Sequence, residues 1–247
     1  MEIWIPITIA AAFLQNLRSV GQKHLKGVMG TTGATFVRFG FGMPFVLVLW
    51  LLLHSAAGYE FPEIHGTFLA WTLLGGLGQI SAQFLLIYLF SFRNFAVGTA
   101  YSRTEPAQAA IFGLVLLGEM AGFGALIAIA VTVIGVMLIS VARVPMSWSN
   151  LFRSLISRTA LIGLASGTLF GVTAVAYRAA SLSLGGPNYL MQATTTLAVT
   201  ITFQTVIMLA WMLWRDRARW DASQKRGSLR FSWVLSALPP RSAGSRP

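Results

Sequence analysis

Amide and ionisable side chains interrupt several apolar stretches of this sequence at spacings that place them together on helix faces. Gln15, Arg18 and Gln22 follow one another at intervals of three and four residues, which puts them on one side of a helix. Further along, one short stretch contains both Arg103 and Glu105. The candidate solute-binding residues are Gln15, Asn16, Arg18, Arg38, Trp71, Gln79, Gln83, Tyr101, Arg103, Glu105 and Gln108.

Ionisable groups inside apolar helices commonly mark a pathway for a charged solute. We therefore interpret Arg18, Arg38 and Arg103 as ligands for an anionic or zwitterionic solute, with Glu105 as counter-ion or proton carrier. The alternative is that the arginines extend to the lipid headgroups and that Glu105 only neutralises one of them. Glutamines such as Gln79 could likewise serve only as hydrogen-bond partners between helices.

Several kinds of chemistry have no residues to support them. The chain has no cysteine, which excludes thiolate metal sites, iron–sulfur clusters and cysteine nucleophiles. Its three histidines, His24, His54 and His65, lie scattered in or beside predicted loops and do not form a metal-binding group. The sequence also contains no phosphate-binding loop motif. We therefore expect no enzymatic activity, no metal and no cofactor.

The composition places these residues in a membrane. Of the 247 residues, 55% are hydrophobic and 10% are charged, whereas soluble domains have about 25% charged residues. A helix crosses a bilayer with about 20 mainly apolar residues. We predict an all-α, multi-pass transmembrane helix bundle of about seven helices on that basis. The predicted helices cover residues 3–22, 34–53, 67–90, 96–117, 123–142, 159–180 and 190–214.

The fourth predicted helix is unusual because Arg103, Glu105 and Pro106 interrupt its apolar sequence. A helix that began at Pro106 would be too short to cross the bilayer before Gly118, so we predict one continuous helix over 96–117. One charged residue at the bilayer centre costs roughly 2.5–3.5 kcal/mol, whereas each large aliphatic residue returns about 0.3–0.6 kcal/mol. Such a helix is not stable against lipid alone, and we expect it to border a hydrated cavity.

Charged residues between the helices predict the orientation. The net charge is +11, and the stretch from residue 215 onward holds eight Lys or Arg and two Asp. Other basic residues lie near Lys23, Arg93 and Arg158, whereas the alternate loops are acidic or uncharged. The positive-inside rule therefore predicts cytoplasmic basic loops and a cytoplasmic C-terminal tail. Since the charge follows membrane topology, we expect a small-molecule solute and the lipid bilayer as partners, and no nucleic acid.

Small and hydroxyl residues in the last two predicted helices favour a packing role. Gly163, Gly167 and Gly171 recur every four residues, which allows close contact between helices. Threonine hydroxyls within 190–214 can bond to their own helix backbone. In the same helix, Gln192 could reach a pocket.

Three motifs show a family resemblance: a Glu-Pro pair at 105–106, a Gly-Glu pair at 118–119 and a Val-Ile-Gly-Val run at 133–136. Together with the apolar stretch between the first two, they resemble the EamA-like families of the drug/metabolite transporter superfamily. Arg38 is similar to the basic residue found early in the second helix of that family. The resemblance implies ten helices in two inverted five-helix repeats and transport of small metabolites by alternating access across a bacterial inner membrane.

On this basis we expect a secondary transporter that exports a small metabolite or drug-like solute through a central polar cavity. The alternative is a non-transporting membrane fragment or assembly component, whose polar residues only mediate helix packing. The solute-transport hypothesis predicts polar residues that converge around an open space, whereas the packing hypothesis predicts that they bond to one another between helices.

The predicted organisation follows the repeats. A first five-helix repeat covers 1–142, a basic cytoplasmic linker covers 143–158, a partial second repeat of two helices covers 159–214, and a basic disordered tail covers 215–247. The tail is rich in Arg, Pro, Ser and Gly and cannot form a core. We therefore expect a chain that is truncated or frameshifted within its second repeat, and a possible homodimer that would complete the pathway.

Overall fold

The computed structural model describes residues 4–92, 95–118, 122–141, 157–186 and 188–215. All regular secondary structure within these ranges is α-helical, which confirms the predicted all-α class. Most of the predicted linker and the tail after residue 215 lie outside the described residues. The helices are α1 (Trp4–Gly40), α2 (Gly42–Ser55), α3 (Gly66–Leu89), α4 (Phe95–Ser102), α5 (Glu105–Leu117), α6 (Phe123–Val141), α7 (Arg158–Ser183) and α8 (Tyr189–Arg215).

Four of the described stretches are long and apolar enough to cross a bilayer: Met29–Ser55, Gly66–Leu89, Arg158–Ser183 and Tyr189–Arg215. They correspond to the second, third, sixth and seventh predicted spans. Large apolar side chains on them face outward, and Phe45 on α2, for example, is 77% exposed. Apolar surface of this extent requires a lipid environment. The chain is therefore a multi-pass helical membrane protein.

The first and fourth predicted spans do not meet the same requirement for length and hydropathy within the described residues. Polar residues are frequent in the N-terminal part of α1, which lowers its hydropathy. α4 and α5 have 8 and 13 residues, so neither can cross a bilayer by itself. α6 lies at the fifth predicted span and has 19 residues, none of them charged.

The first change of direction lies at Gly30 rather than in the loop predicted near Lys23. Gly30 has φ 71° and ψ −177°, a conformation essentially restricted to glycine. The helix therefore continues past Lys23 and bends later, so that α1 consists of two arms on either side of Gly30. A second interruption follows at Phe41, between Gly40 and Gly42, where α1 ends and α2 begins.

The prediction of a continuous fourth helix is wrong, because the structure divides it into α4 and α5. Pro106 has no backbone N–H and cannot donate to the carbonyl of Ser102, four residues earlier. Instead, the amides of Arg103 and Thr104 donate to carbonyls three residues earlier, at 3.0 and 3.2 Å. α5 then begins at Glu105. The break therefore coincides with the charged residues of this segment.

α7 packs against α3, α4 and α5. Its glycines allow this close approach: a Cβ atom on Gly167 would lie 3.0 Å from the carbonyl oxygen of Ser102. A Cβ atom on Gly171 would lie 3.1 Å from the backbone nitrogen of Ala109, and Gly163 is buried. These distances confirm the packing role that was predicted for Gly167 and Gly171.

Hydroxyl groups of α8 bond to their own helix, as predicted. Thr196 Oγ1 donates to the carbonyl of Gln192, and Thr202 Oγ1 donates to the carbonyl of Ala198, both at 2.8 Å. The amide of Gln192 donates to the carbonyl of Gly185 at 2.7 Å. Gln192 therefore stabilises the turn that precedes α8.

The chain divides into two compact units, Met1–Ile207 and Met208–Pro247. The described part of the second unit is the end of α8. There the rings of Trp211 and Trp214 meet edge to face with centroids 5.6 Å apart, and the guanidinium of Arg215 lies 5.7 Å from the centroid of the Trp211 ring. Aromatic and basic residues of this kind are typical of a helix end at the lipid headgroups.

Candidate functional site

A cleft opens where α1, α3 and α7 meet the break between α4 and α5. About 320 Å³ of space lies between its walls, but most of that is open to the surroundings, and the cavity inside has a volume of about 10 Å³, which is the room that one water molecule needs. Five of the predicted binding residues contribute to its wall, together with neighbouring amide, hydroxyl and apolar groups. The lining residues are Gln15, Arg18, Ser19, Gln22, Gln83, Leu86, Ser102, Arg103, Glu105 and Phe170.

The charge in and beside this cleft is mostly positive. Glu105 interacts electrostatically with both Arg103 and Arg38. Arg18 is close enough to Arg103 and Arg38 to experience repulsion from each. Such interactions are stronger in a low-dielectric surrounding than in water. Because three guanidinium groups and one carboxylate interact here within the described part of the chain, this cluster attracts negative charge.

Arg38 is connected to the cleft through a chain of hydrogen bonds. Its Nη1 donates to Oε1 of Gln83, and Nε2 of Gln83 donates to Oε1 of Gln22 at 3.1 Å. Both glutamines are buried, with exposed fractions of 1% for Gln83 and 4% for Gln22. Because Gly30 bends α1, the two arms of that helix bring Gln22 and Arg38 to the same residue of α3.

Gln108 stabilises the break between α4 and α5 and does not line the cleft. Its Nε2 donates to Oγ1 of Thr104 at 2.7 Å, and Oγ1 of Thr168 on α7 donates to its Oε1. Thr104 Oγ1 in turn donates to the carbonyl of Tyr101 at 2.7 Å. These bonds fix the start of α5, where the helix dipole favours the negative charge of Glu105.

Gln79 belongs to a second polar network, between α3, α7 and α8. Tyr177 Oη donates to Oε1 of Gln79 at 3.0 Å, and Nε2 of Gln204 donates to the same oxygen at 2.8 Å. Gln204 also donates to the carbonyl of Gly76 at 3.1 Å. These bonds join three helices. They agree with the alternative interpretation of Gln79 as a hydrogen-bond partner between helices. Neither Tyr177 nor Gln204 was predicted as its partner, because nothing in the sequence pairs residues so far apart.

Two aromatic candidates lie in apolar clusters and not in the cleft. Tyr101 is 2% exposed and lies in a cluster with Ala160. Trp71 packs against the cluster that contains Phe68. The side chain of the remaining candidate, Asn16, lies outside the described part of the structure. Solute binding by the predicted residues stays a prediction.

The cleft also contains five residues that are not among the predicted binding residues: Ser19, Gln22, Leu86, Ser102 and Phe170. Gln22 could have been predicted from the sequence, because it follows Arg18 by four residues on the same helix face. Leu86 and Phe170 had none, because apolar residues occur throughout membrane helices. Among the described residues, no three His, Asp or Glu side chains come together in a way that could hold a metal ion.

A model of the EamA-like transporter family matches residues 2–141, which is more than half of the chain. The chain belongs to the EamA-like transporter family. This family is part of the drug/metabolite transporter superfamily, so the protein is related to membrane transporters and not to enzymes. The matched range contains every lining residue of the cleft except Phe170. No curated protein and no solved structure matches the chain.

Proposed function

We propose that this EamA-like protein is a secondary transporter that moves a small metabolite or drug-like solute through the cleft by alternating access. The observation behind the proposal is that Arg18, Arg103 and Glu105 converge on one cleft beside a broken helix, in a chain that belongs to a transporter family. Broken helices are a common feature of substrate sites in transporters, because they expose polar groups within the membrane.

The residues of the cleft have separate roles in this proposal. Arg18 and Arg103 attract the solute directly. Arg38, held by Gln83, adds positive charge from behind the wall of the cleft. Glu105 offsets part of that charge as counter-ion or proton carrier, which keeps the empty cleft stable within the membrane.

The break between α4 and α5 supplies a point where the pathway can open. Side-chain bonds of Thr104, Gln108 and Thr168 hold the two short helices in place. A change at such a junction alters a few side-chain bonds and backbone torsions, whereas bending a continuous helix breaks its backbone ladder. Alternating access would therefore use movement of α4 relative to α5.

The distribution of basic groups supports a bacterial inner-membrane location with the basic ends in the cytoplasm. Nζ of Lys26 donates to Oγ of Ser91, and the guanidinium of Arg158 lies 5.7 Å from the centroid of the Phe92 ring. These basic groups therefore lie at one end of the helices, as the positive-inside rule requires. We propose export from that side toward the other. Homodimer formation stays a prediction.

Flux into proteoliposomes tests the transport proposal. Four probes of similar length but different charge cover the solute classes: succinate, 4-aminobutanoate, succinamide and 1,4-diaminobutane. We expect the wild-type protein to transport at least one of them. Glu105→Gln should then slow that flux roughly tenfold or more, because the variant loses the counter-ion or proton carrier of the cleft.

Glu63→Gln is the matched control, because this carboxylate is exposed between α2 and α3 and does not line the cleft. Its flux should equal that of the wild type. A folded wild-type protein that transports none of the probes would favour the assembly-component alternative. Equal flux in both variants would remove Glu105 from the mechanism.

A further inference from the structure

The side-chain amide of Gln22 has an unused hydrogen-bond donor at the cleft. The side chain is 4% exposed, and the residue lines the cleft together with Arg18. Its Oε1 accepts from Gln83, whereas its Nε2 has no hydrogen-bond partner among the described residues. Buried polar atoms without a partner are uncommon in native proteins. Nε2 is itself buried, and a buried donor without a partner beside a cleft indicates a place for an acceptor on a ligand.

The direction of the hydrogen bonds determines which end of the Gln22 amide is free. A guanidinium group can only donate, so Arg38 requires the oxygen of Gln83. Gln83 must then offer its NH₂ group to Gln22, which accepts with its oxygen. Exchanging oxygen and nitrogen in either amide would oppose two donors or two acceptors. Arg38 lies on the other arm of α1, but through Gln83 it orients the Gln22 amide so that the NH₂ group, a donor, is the end without a partner.

The positive charge of this cleft and its free hydrogen-bond donor both favour a negatively charged ligand. Arg18 and Arg103 line it, and Arg38 stands behind Gln83. Among the described residues, the carboxylate of Glu105 opposes this positive charge. We infer that the cleft selects a small organic anion, whose carboxylate accepts a hydrogen bond from Nε2 of Gln22 while the arginines offset its charge. The inference rests on the proposed function, in which this cleft is the solute site.

Ligand-dependent thermal unfolding of the full chain in a neutral detergent tests this inference with the same four probes. We expect succinate to raise Tm at a half-saturating concentration about tenfold or more below that of the other three probes. Gln22→Met removes the donor and should raise the half-saturating concentration of succinate about tenfold or more, since hydrogen bonds to charged groups are strong. Gln22→Glu also adds a like charge and should abolish the effect. Gln192→Met, at a glutamine outside the cleft, should stay within about twofold of the wild type.

The inference is overturned if succinamide, 1,4-diaminobutane or 4-aminobutanoate protects the wild type as well as succinate does, or if no probe protects it. It is also overturned if Gln22→Met binds succinate as tightly as Gln192→Met does. If neither Gln22 variant folds, the inference is still tested by which of the four probes stabilises the wild-type protein at the lowest concentration. If succinate binds but is not transported, the proposed function is wrong and this inference stands. If only a non-anionic probe is transported, this inference is wrong and the proposed function stands.

Discussion

Gln83 is the residue that connects the two arms of α1. Its oxygen accepts from Arg38 beyond the bend, and its nitrogen donates to Gln22 before it. A charged group within the membrane is costly unless it has partners. Arg38 therefore depends on Gln83, and so does the orientation of the Gln22 amide. One buried glutamine thus links a distant charge to the wall of the cleft.

Replacing Gln83 with leucine should destabilise the protein. Gln83→Leu leaves a guanidinium donor and an amide oxygen without their partners, and we expect the free energy of unfolding to fall by about 1–3 kcal/mol. Titration of purified protein with sodium dodecyl sulfate measures this change. The matched control is Gln15→Leu, because Gln15 is an exposed glutamine of the same cleft, and its effect should remain below about 0.5 kcal/mol. Equal effects of the two substitutions would contradict the role of Gln83.

α7 packs directly against the break between α4 and α5. A Cβ atom on Gly167 would lie 3.0 Å from the carbonyl oxygen of Ser102 and 3.3 Å from Oγ1 of Thr104. Thr168, one residue later, donates to Gln108. The surface of α7 therefore lies close against the break. This contact is possible because Gly167 has no side chain.

A large side chain at Gly167 should separate α7 from the break. We expect Gly167→Leu to lower the free energy of unfolding by about 1–3 kcal/mol, which is the usual cost of overfilling a packed contact. It should also reduce flux, because Glu105 follows the break directly. Ala165→Leu provides the control on the same helix, since Ala165 is exposed and its substitution adds apolar surface without a clash. If Ala165→Leu were equally destabilising, close packing at Gly167 would not be the cause.

At the scale of the whole molecule, the described helix ends differ in character. Lys26 and Arg158 lie beside the end of α3, where they contact Ser91 and Phe92. The segment that leads from α2 to α3 contains Glu60 and Glu63 in place of basic residues. The membrane potential and the insertion machinery favour basic residues on the cytoplasmic side.

Single-cysteine labelling tests the predicted orientation, because the natural chain has no cysteine. We expect Glu60→Cys to react in intact cells with a maleimide that does not cross the membrane. Arg158→Cys should react only after the cells are made permeable, because the positive-inside rule places that residue in the cytoplasm. Both residues are exposed, so accessibility within the protein does not distinguish them. The reverse labelling pattern would contradict the orientation.

The membrane environment, the helical class and the family could all be predicted from the sequence. Hydropathy adds up along neighbouring residues, and a backbone within lipid must satisfy its own hydrogen bonds, so a long apolar stretch predicts a helix without knowledge of the rest of the fold. The Glu-Pro pair at 105–106 and the Gly-Glu pair at 118–119 lie within the residues that the family model matches. These properties depend on local sequence alone.

Which polar residues share the cleft depends on how the helices pack, and the sequence does not predict it. Gln79 and Gln83 occupy one face of α3, but Gln83 lines the cleft and Gln79 bonds to Tyr177. The free donor of Gln22 could not be foreseen, because it depends on Arg38 through Gln83, which is 61 positions from Gln22 and 45 from Arg38 in sequence. Helix periodicity defines the faces of one helix, whereas the packing of distant segments decides what covers each face.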